Sequence, residues 1–376
     1  MLSFVAANLE LLFVLFVLTD SSAATSNSQV RNAGAHWGLT DKVGNPLLNC
    51  SGESKEETKF QGFMEPIRVA FLGPAASFSH QAAVECFGSS AELSPCLSFA
   101  DAFAAVQQGE ADYAIIPVEN STNGSVVQNL DLLADQYGLY EDVNVCGEHY
   151  LTVHHCLLVR KALSQPDIRS ITKLYTHPQA WGQCENFLAK FLKGIERQDV
   201  SSTSKAAEMV SLETEEHSGA IASRFAADYH SLDVLSENIE DKADNTTRFL
   251  VLRNTKSERT ARLPFDALKA PSVGLNPRLT PSAEKTLISF RIRQDFPGAL
   301  ADALLIFKDF GMNLTSINTR PSQIRAWQYV FFVECQQFPT DQNSQGVTTI
   351  LDKMQQVTEG CRHLGTWKDQ LSTSSV

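Results

Sequence analysis

The chain has 376 residues, with 31 basic and 43 acidic side chains for a net charge of −12, and 43% of its residues are hydrophobic against 20% charged. That apolar fraction supports a packed core, and at about 100 to 200 residues per domain the length fits two or three domains. An acidic chain without a basic run repels phosphate backbones, which excludes a nucleic-acid or anionic-membrane partner as its main business.

Near the N-terminus, residues 11–18 form an apolar run like the core of a signal peptide, but Glu10 interrupts the approach and no Lys or Arg precedes Arg31. The run is also shorter than the about 20 residues a membrane span needs. Residues 1–66 therefore read as a flexible leader carrying a signal-like segment, and the expected location is cytoplasmic. The alternative is secretion or an organelle, should that segment be a working signal. In a secretory lumen Asn120, Asn123 and Asn245 would become glycosylation acceptors inside segments expected to line the site. The eight cysteines are scattered, with no CxxC pair and no Cys/His cluster at zinc spacing, so reduced thiols and no metal are expected.

The folded body opens with RVAFL at 68–72, a short apolar strand that runs into Gly73-Pro74 and a helical stretch at 79–86. YAIIPV at 113–118 is a second strand, followed by a polar turn and a helix over 126–137. Apolar stretches at 156–159, 174–175 and 219–221 alternate with helical patterns at 181–193 and 204–213. This alternation predicts an α/β fold with a mainly parallel sheet. Polar loops at 73–79, 119–125 and 176–179 each follow a strand, and in such sheets ligands bind at the carboxyl ends of strands. Residues 256–284, with Pro264, Pro271, Pro277 and Pro281, read as a linker. Beyond it the pattern is strand 286–293, helix 297–310, strands 313–319 and 327–335, helix 348–358 and a short closing strand. This order is that of a ferredoxin-like module of about 85 residues. It lacks obvious acid/base pairs, which points to sensing or assembly.

Four motifs then stand in order: RVAFLGPAASFSHQAA, IIPVENSTNGSV, THPQAWGQC and DNTTRFLVL. Together they resemble the prephenate dehydratases, the related arogenate dehydratases included, and residues 285–370 resemble an ACT regulatory domain. The resemblance covers residues 67–365 and implies a catalytic domain over 67–255 with two α/β lobes around a cleft, similar to bilobal periplasmic binding proteins. Lobe one would hold about 67–148 plus 233–253 and lobe two about 149–232. The implied activity is the decarboxylating dehydration of prephenate to phenylpyruvate in L-phenylalanine biosynthesis, by a carbon–oxygen lyase needing no cofactor and no metal. Phenylalanine would be the feedback effector, and the ACT module would join a homodimer or homotetramer. Two rivals remain open: an arogenate dehydratase forming phenylalanine directly, and a non-catalytic binding protein that senses an amino acid.

The resemblance also implies roles. Such a site must hold the pyruvyl carboxylate, protonate the departing hydroxyl and desolvate the carboxylate that leaves. Arg248 is expected to grip the pyruvyl carboxylate bidentately, because an arginine on the leaving carboxylate would oppose its loss. Thr247 matches the family's essential threonine, Glu119 is its candidate proton-donating helper, and Asn120 joins them as catalytic. Ser77, Ser79, Ser121, Thr176, Gln183 and Phe249 are the further substrate-binding positions. Pro297, Gly298, Ala299 and Leu300 resemble the phenylalanine-binding turn, and Asn318, Thr319, Arg320 and Pro321 resemble its partner motif, here without the usual acidic residue. Without the family, Asn120 to Gly124 would be a plain turn and Thr247 and Arg248 strand-edge residues. His177 would orient its loop, His154 and His155 would alternate across a strand, and Cys156 and Cys184 would be core.

Overall fold

The computed structural model describes residues 65–161, 167–213, 217–268, 283–337 and 347–371. The expected leader with its signal-like segment, apart from residues 65 and 66, and the proline-rich part of the expected linker lie outside the described residues. The first lobe is built from β1 (Arg68–Leu72), α1 (Phe78–Phe87), β2 (Glu92–Cys96), α2 (Phe99–Gln107), β3 (Tyr113–Asn120), β4 (Gly124–Ser125), α3 (Val127–Ala134) and β5 (Val143–Thr152). The second holds β6 (Cys156–Arg160), β7 (Lys173–Thr176), α4 (Pro178–Gln183), α5 (Glu185–Phe191), β8 (Glu196–Asp199), α6 (Thr203–Leu212), β9 (Ser218–Ala222), α7 (Arg224–His230) and β10 (Leu232–Ser236). The chain returns to the first lobe as β11 (Thr246–Asn254), α8 (Glu258–Arg262) and α9 (Phe265–Leu268). A C-terminal module follows: β12 (Glu284–Ile292), α10 (Ala299–Asp309), β13 (Asn313–Pro321), β14 (Tyr329–Gln337), α11 (Val347–Val357) and β15 (Thr358–Lys368).

Two sheets organise these elements. The larger has the order β13-β14-β12-β15-β5-β11-β3-β1-β2 with β4 on β3, and the smaller has the order β10-β6-β9-β7-β8. Both are mixed rather than mainly parallel. β11 runs antiparallel to β3 and to β5, and β6 runs antiparallel to β9 and to β10. The reason is the double crossing: a strand that enters a sheet from the other lobe arrives in the reverse direction. The crossings also fall later than the sequence implies, since β5 belongs to the first sheet through Thr152 and β10 pairs with β6 in the second.

One face of the larger sheet buries Phe103, Ile116, Leu250 and Leu252 together with Leu287, Phe332, Leu364 and Trp367 of the module, so lobe one and module share a core. The opposite face buries Phe71, Phe87, Tyr113, Phe249 and Phe265. Phe265 falls in the expected linker, yet its ring packs where a side chain on Gly147 would otherwise stand. Tyr113 donates its hydroxyl proton to the Leu263 carbonyl at 2.5 Å. Residues 258–268 are thus part of lobe one, recruited by an aromatic side chain that outweighs its polar neighbours. The expected helix over 181–193 is divided at Cys184 into α4 and α5. β8 carries ERQD, exposed throughout, and as an edge strand it has no apolar pattern to read.

The module's strands lie in the order β15-β12-β14-β13, the arrangement of a βαββαβ ferredoxin-like unit. Its β15 pairs in parallel with β5 at Gly365 opposite Val145. Gly365 has φ of 143°, and a Cβ there would overlap the Val145 backbone. Only glycine allows two backbones this close. Gly365→Ala is expected to destabilise the protein by about 3 kcal/mol, at the upper end of ordinary overpacking; urea unfolding of variant against wild type measures it.

Candidate active site

A cleft of about 500 Å³ lies between the lobes, a size suited to a small molecule. Lobe one contributes Leu72 to Ser79 in part, Pro117, Asn120, Asn123 to Gln128 and Thr247, and lobe two contributes His155, His177, Gln183 and Ser201 to Thr203 among others. The register of β11 on β3 sets its floor: Thr247 stands opposite Asn120, and Arg248 opposite Glu119. Successive side chains on a strand face opposite ways. Thr247 and Asn120 therefore share the cleft face.

Their chemistry is defined by hydrogen bonds. The Asn120 Oδ1 accepts from the Thr122 and Asn123 N–H groups at 3.0 and 2.9 Å. This fixes its amide so that Nδ2 donates to Thr247 Oγ1 at 3.0 Å and to Asn245 Oδ1 at 2.8 Å. With Oγ1 already accepting, the Thr247 hydroxyl keeps its proton available to donate. Asn245, 2% exposed, lies in the DNTTRFLVL motif but is not among the residues expected at the site.

The described lining has no Asp, Glu, Lys or Arg. The N-termini of α1, α3 and α6 reach it instead, and the first residue of each lines the cleft. Ser77 caps α1 and Ser202 caps α6, while Val126, at the cap position of α3, gives no side-chain cap. First-turn N–H groups lack intrahelical partners and favour an anion. Leu72, Phe78, Pro117, Val126, Val127, Val153 and Ala180 give the lining apolar patches, beside neutral polar residues such as Asn123, Gln128 and Gln179. Such a cleft can hold an anion through neutral donors and strip water from part of it. Among the described residues no His, Cys, Asp or Glu cluster is arranged to hold a metal.

Comparison with known proteins agrees with this geometry. The family model for prephenate dehydratase matches residues 69–257. A bifunctional chorismate mutase/prephenate dehydratase of Aquifex aeolicus is 36% identical over 305 residues, covering 81% of this chain and 74% of its own. The chain belongs to the prephenate dehydratase family. Also similar is arogenate dehydratase/prephenate dehydratase 2 of Arabidopsis thaliana, 33% identical over 317 residues and covering 82% of this chain and 75% of its own. The solved prephenate dehydratase of Arthrobacter aurescens in complex with L-Phe superposes with a TM-score of 0.66 at 26% identity, covering 82% of this chain and 92% of that one. The family's enzymes are carbon–oxygen lyases, and this chain is one of that kind.

As a prephenate dehydratase family member, the chain brings some expected residues together and separates others. Thr247, Asn120, Ser77, Ser79 and Gln183 all line the cleft. His177 lines it too, and its Nδ1 caps α4 by accepting from the Gln179 N–H at 3.3 Å. Ser121 is exposed beside the cleft, its hydroxyl accepting from the Thr246 N–H at 2.9 Å. Thr176 is buried and donates to the Ile221 carbonyl at 2.7 Å, holding β7 to β9. Phe249 lies in the core rather than at the cleft.

Arg248 and Glu119 require correction. Both lie on the face of the sheet turned away from Thr247. Glu119 is exposed there, so it is not the buried acid the sequence suggested. Arg248 is packed at the junction with the module: its Nε and Nη2 donate to Glu148 at 2.9 and 2.6 Å, and Nη2 also bonds Glu334 of β14. Glu148, fully buried, also receives Lys285 Nζ at 3.0 Å, and Lys285 bonds Asp369 at 2.8 Å. Burial opposes the charge on Arg248, but Glu334 and Glu148 outweigh it and raise its pKa; burial likewise opposes the charge on Lys285, where Asp369 and Glu148 win. The Tyr150 hydroxyl beside them is pushed up to about 12, chiefly by burial. Arg248→Met leaves two buried carboxylates without this partner and is expected to cost about 3–5 kcal/mol of stability, read by denaturant unfolding. A grip on substrate predicts the opposite pattern, a raised KM at unchanged stability.

Proposed function

We propose that this cleft converts prephenate to phenylpyruvate, carbon dioxide and water. The observation that carries the reading is the Thr247 hydroxyl, oriented by Asn120 in a cleft whose described lining has no Asp, Glu, Lys or Arg and gathers three helix N-termini. The pyruvyl carboxylate is held at those termini, and the ring carboxylate rests on the apolar wall, where loss of hydration favours its departure. As the C–C bond breaks, its electron pair enters the ring and the C–O bond opposite breaks. The departing oxygen accepts the hydrogen bond of Thr247 and leaves as water on taking up one proton. A cation at the ring carboxylate would stabilise the ground state. None stands in the described lining.

Arogenate carries an ammonium group where prephenate has a keto oxygen. The described lining offers no carboxylate to receive it, which favours prephenate.

The module is read as an ACT regulatory domain with phenylalanine as effector, on a two-lobed plan like that of periplasmic binding proteins. Support comes from the expected turn Pro297 to Leu300, where Gly298 has φ of 87° at the uncapped start of α10. The partner motif lies on edge strand β13 and touches the catalytic lobe directly: Ser125 donates to Asn318 Oδ1 at 2.9 Å, and Arg320 forks onto Asp131 at 2.6 and 2.8 Å. Ser125 also lines the cleft. An effector that draws on Asn318 therefore acts on a cleft wall one residue away. Unpaired edge β13, with Leu314 and Ile317 exposed, is the natural surface for a homodimer or homotetramer. Among the described residues no helix is long and apolar enough to cross a membrane, and a cytoplasmic location is proposed.

The wild-type protein is expected to release phenylpyruvate from prephenate, to turn over arogenate at least tenfold less efficiently, and to slow when phenylalanine is added. Thr247→Ala should lower kcat by at least about a hundredfold, the scale of a lost proton donor, with its circular dichroism unchanged. Near-normal turnover in that variant removes Thr247 from the reaction.

A further inference from the structure

Two histidines line the cleft, and they differ. His177 is partly open and serves as a helix cap, whereas His155 is only 2% exposed. The His155 Nε2 lies 2.7 Å from Gln183 Oε1, and its Nδ1 has no hydrogen-bond partner among the described residues. Burial holds the ring pKa below its ordinary value, against the smaller opposing effects of Gln183 and Glu240. A neutral imidazole carries one N–H, and the two tautomers are not equal here. A proton on Nδ1 would bury a donor with no acceptor, which costs about 1–3 kcal/mol. A bare Nδ1 lone pair is more easily tolerated. The proton therefore sits on Nε2 and is donated to Gln183 Oε1.

This determines which end of the Gln183 amide serves the cleft. With Oε1 committed to His155, the NH2 group is the end left for a ligand. We infer that His155 is a positioning residue for substrate: it locks the Gln183 amide with its N–H donors, rather than its carbonyl, toward an anionic oxygen. The inference rests on the reading that the cleft takes an anionic substrate. Both partners are held by one stretch of chain. Glu240 accepts from the His155 N–H at 2.8 Å, the Ile239 N–H donates to the His155 carbonyl at 2.9 Å, and the Asp241 N–H donates to the Gln183 carbonyl at 2.7 Å. That stretch is the crossing that leads into Thr247. Without the imidazole donor the amide is free to turn by half a rotation and present its carbonyl, converting an attraction to the substrate oxygen into a repulsion.

A double-mutant cycle on the full chain tests this, with prephenate as substrate. His155→Leu is expected to raise KM about tenfold, the scale of one hydrogen bond to a charged group, with kcat changed less than threefold. His155→Gln, which keeps an N–H donor, should recover most of the loss. In a Gln183→Leu background the further change His155→Leu should cost nothing, because there is no amide left to orient. Losses that multiply in the double variant, or an unchanged KM in His155→Leu, overturn the inference while leaving the activity itself standing. Wild-type protein that does not turn over prephenate overturns both. Should His155→Leu fail to fold, nitrogen NMR of histidine-labelled wild type decides: a His155 signal with the proton on Nε2 supports the assignment, and one with the proton on Nδ1 overturns it.

Discussion

Two neighbouring residues of β11 face opposite ways, and most of what the protein does follows from that. Thr247 meets Asn120 at the floor of the cleft, while Arg248 enters a buried cluster with Glu148, Glu334, Lys285 and Asp369. The cluster draws one acid from lobe one and two from the module, with one base from each side. Removing any member leaves charge in a medium that tolerates it poorly. The module is consequently bound to the strand that carries Thr247, with a single peptide bond between the residue that holds the module and the one that faces the cleft.

The same alternation explains how the cleft stays neutral. Arg248 and Lys285 are engaged on the module side, and the described cleft lining has amides, hydroxyls, two imidazoles and helix N-termini where a Lys or Arg would otherwise stand. For a reaction that expels a carboxylate this is an advantage, because a formal cation would hold the leaving group back. Helix termini attract an anion through many weakly polarised N–H groups and can grip one end of a dianion while apolar residues surround the other.

Much of this was legible in the sequence. RVAFL and YAIIPV announced β1 and β3, and the polar segments after them do converge on the cleft. The order of elements after residue 283 gave the βαββαβ module with its boundaries within a few residues. What remained hidden depends on partners distant in sequence. The fate of Arg248 is decided by Glu148 and Glu334, 100 and 86 residues away respectively, and a motif shows residue types without showing which face of a strand they occupy. Phe265 reads as a linker residue because it stands between a charged stretch and a proline-rich one, although Gly147, Tyr113 and Phe87, all distant in sequence, gather around its ring. The sequence does not single out His155, because neither its burial nor its bond to Gln183 has a local signature. Nor does it show the mixed sheets, because strand direction depends on the two crossings.

The seam at Gly365 and Val145 has a mechanical meaning. Since β15 continues the sheet of lobe one and the two share a core, module and lobe one form a single continuous plate. The smaller, five-stranded body joins it through two strings of chain, at 153–155 and 237–245, and through direct packing: Ser204 donates to the Ala75 carbonyl at 2.5 Å and Ala76 lies in that body's core. A change on the module side therefore reaches the cleft as a change in the surface on which this body rests.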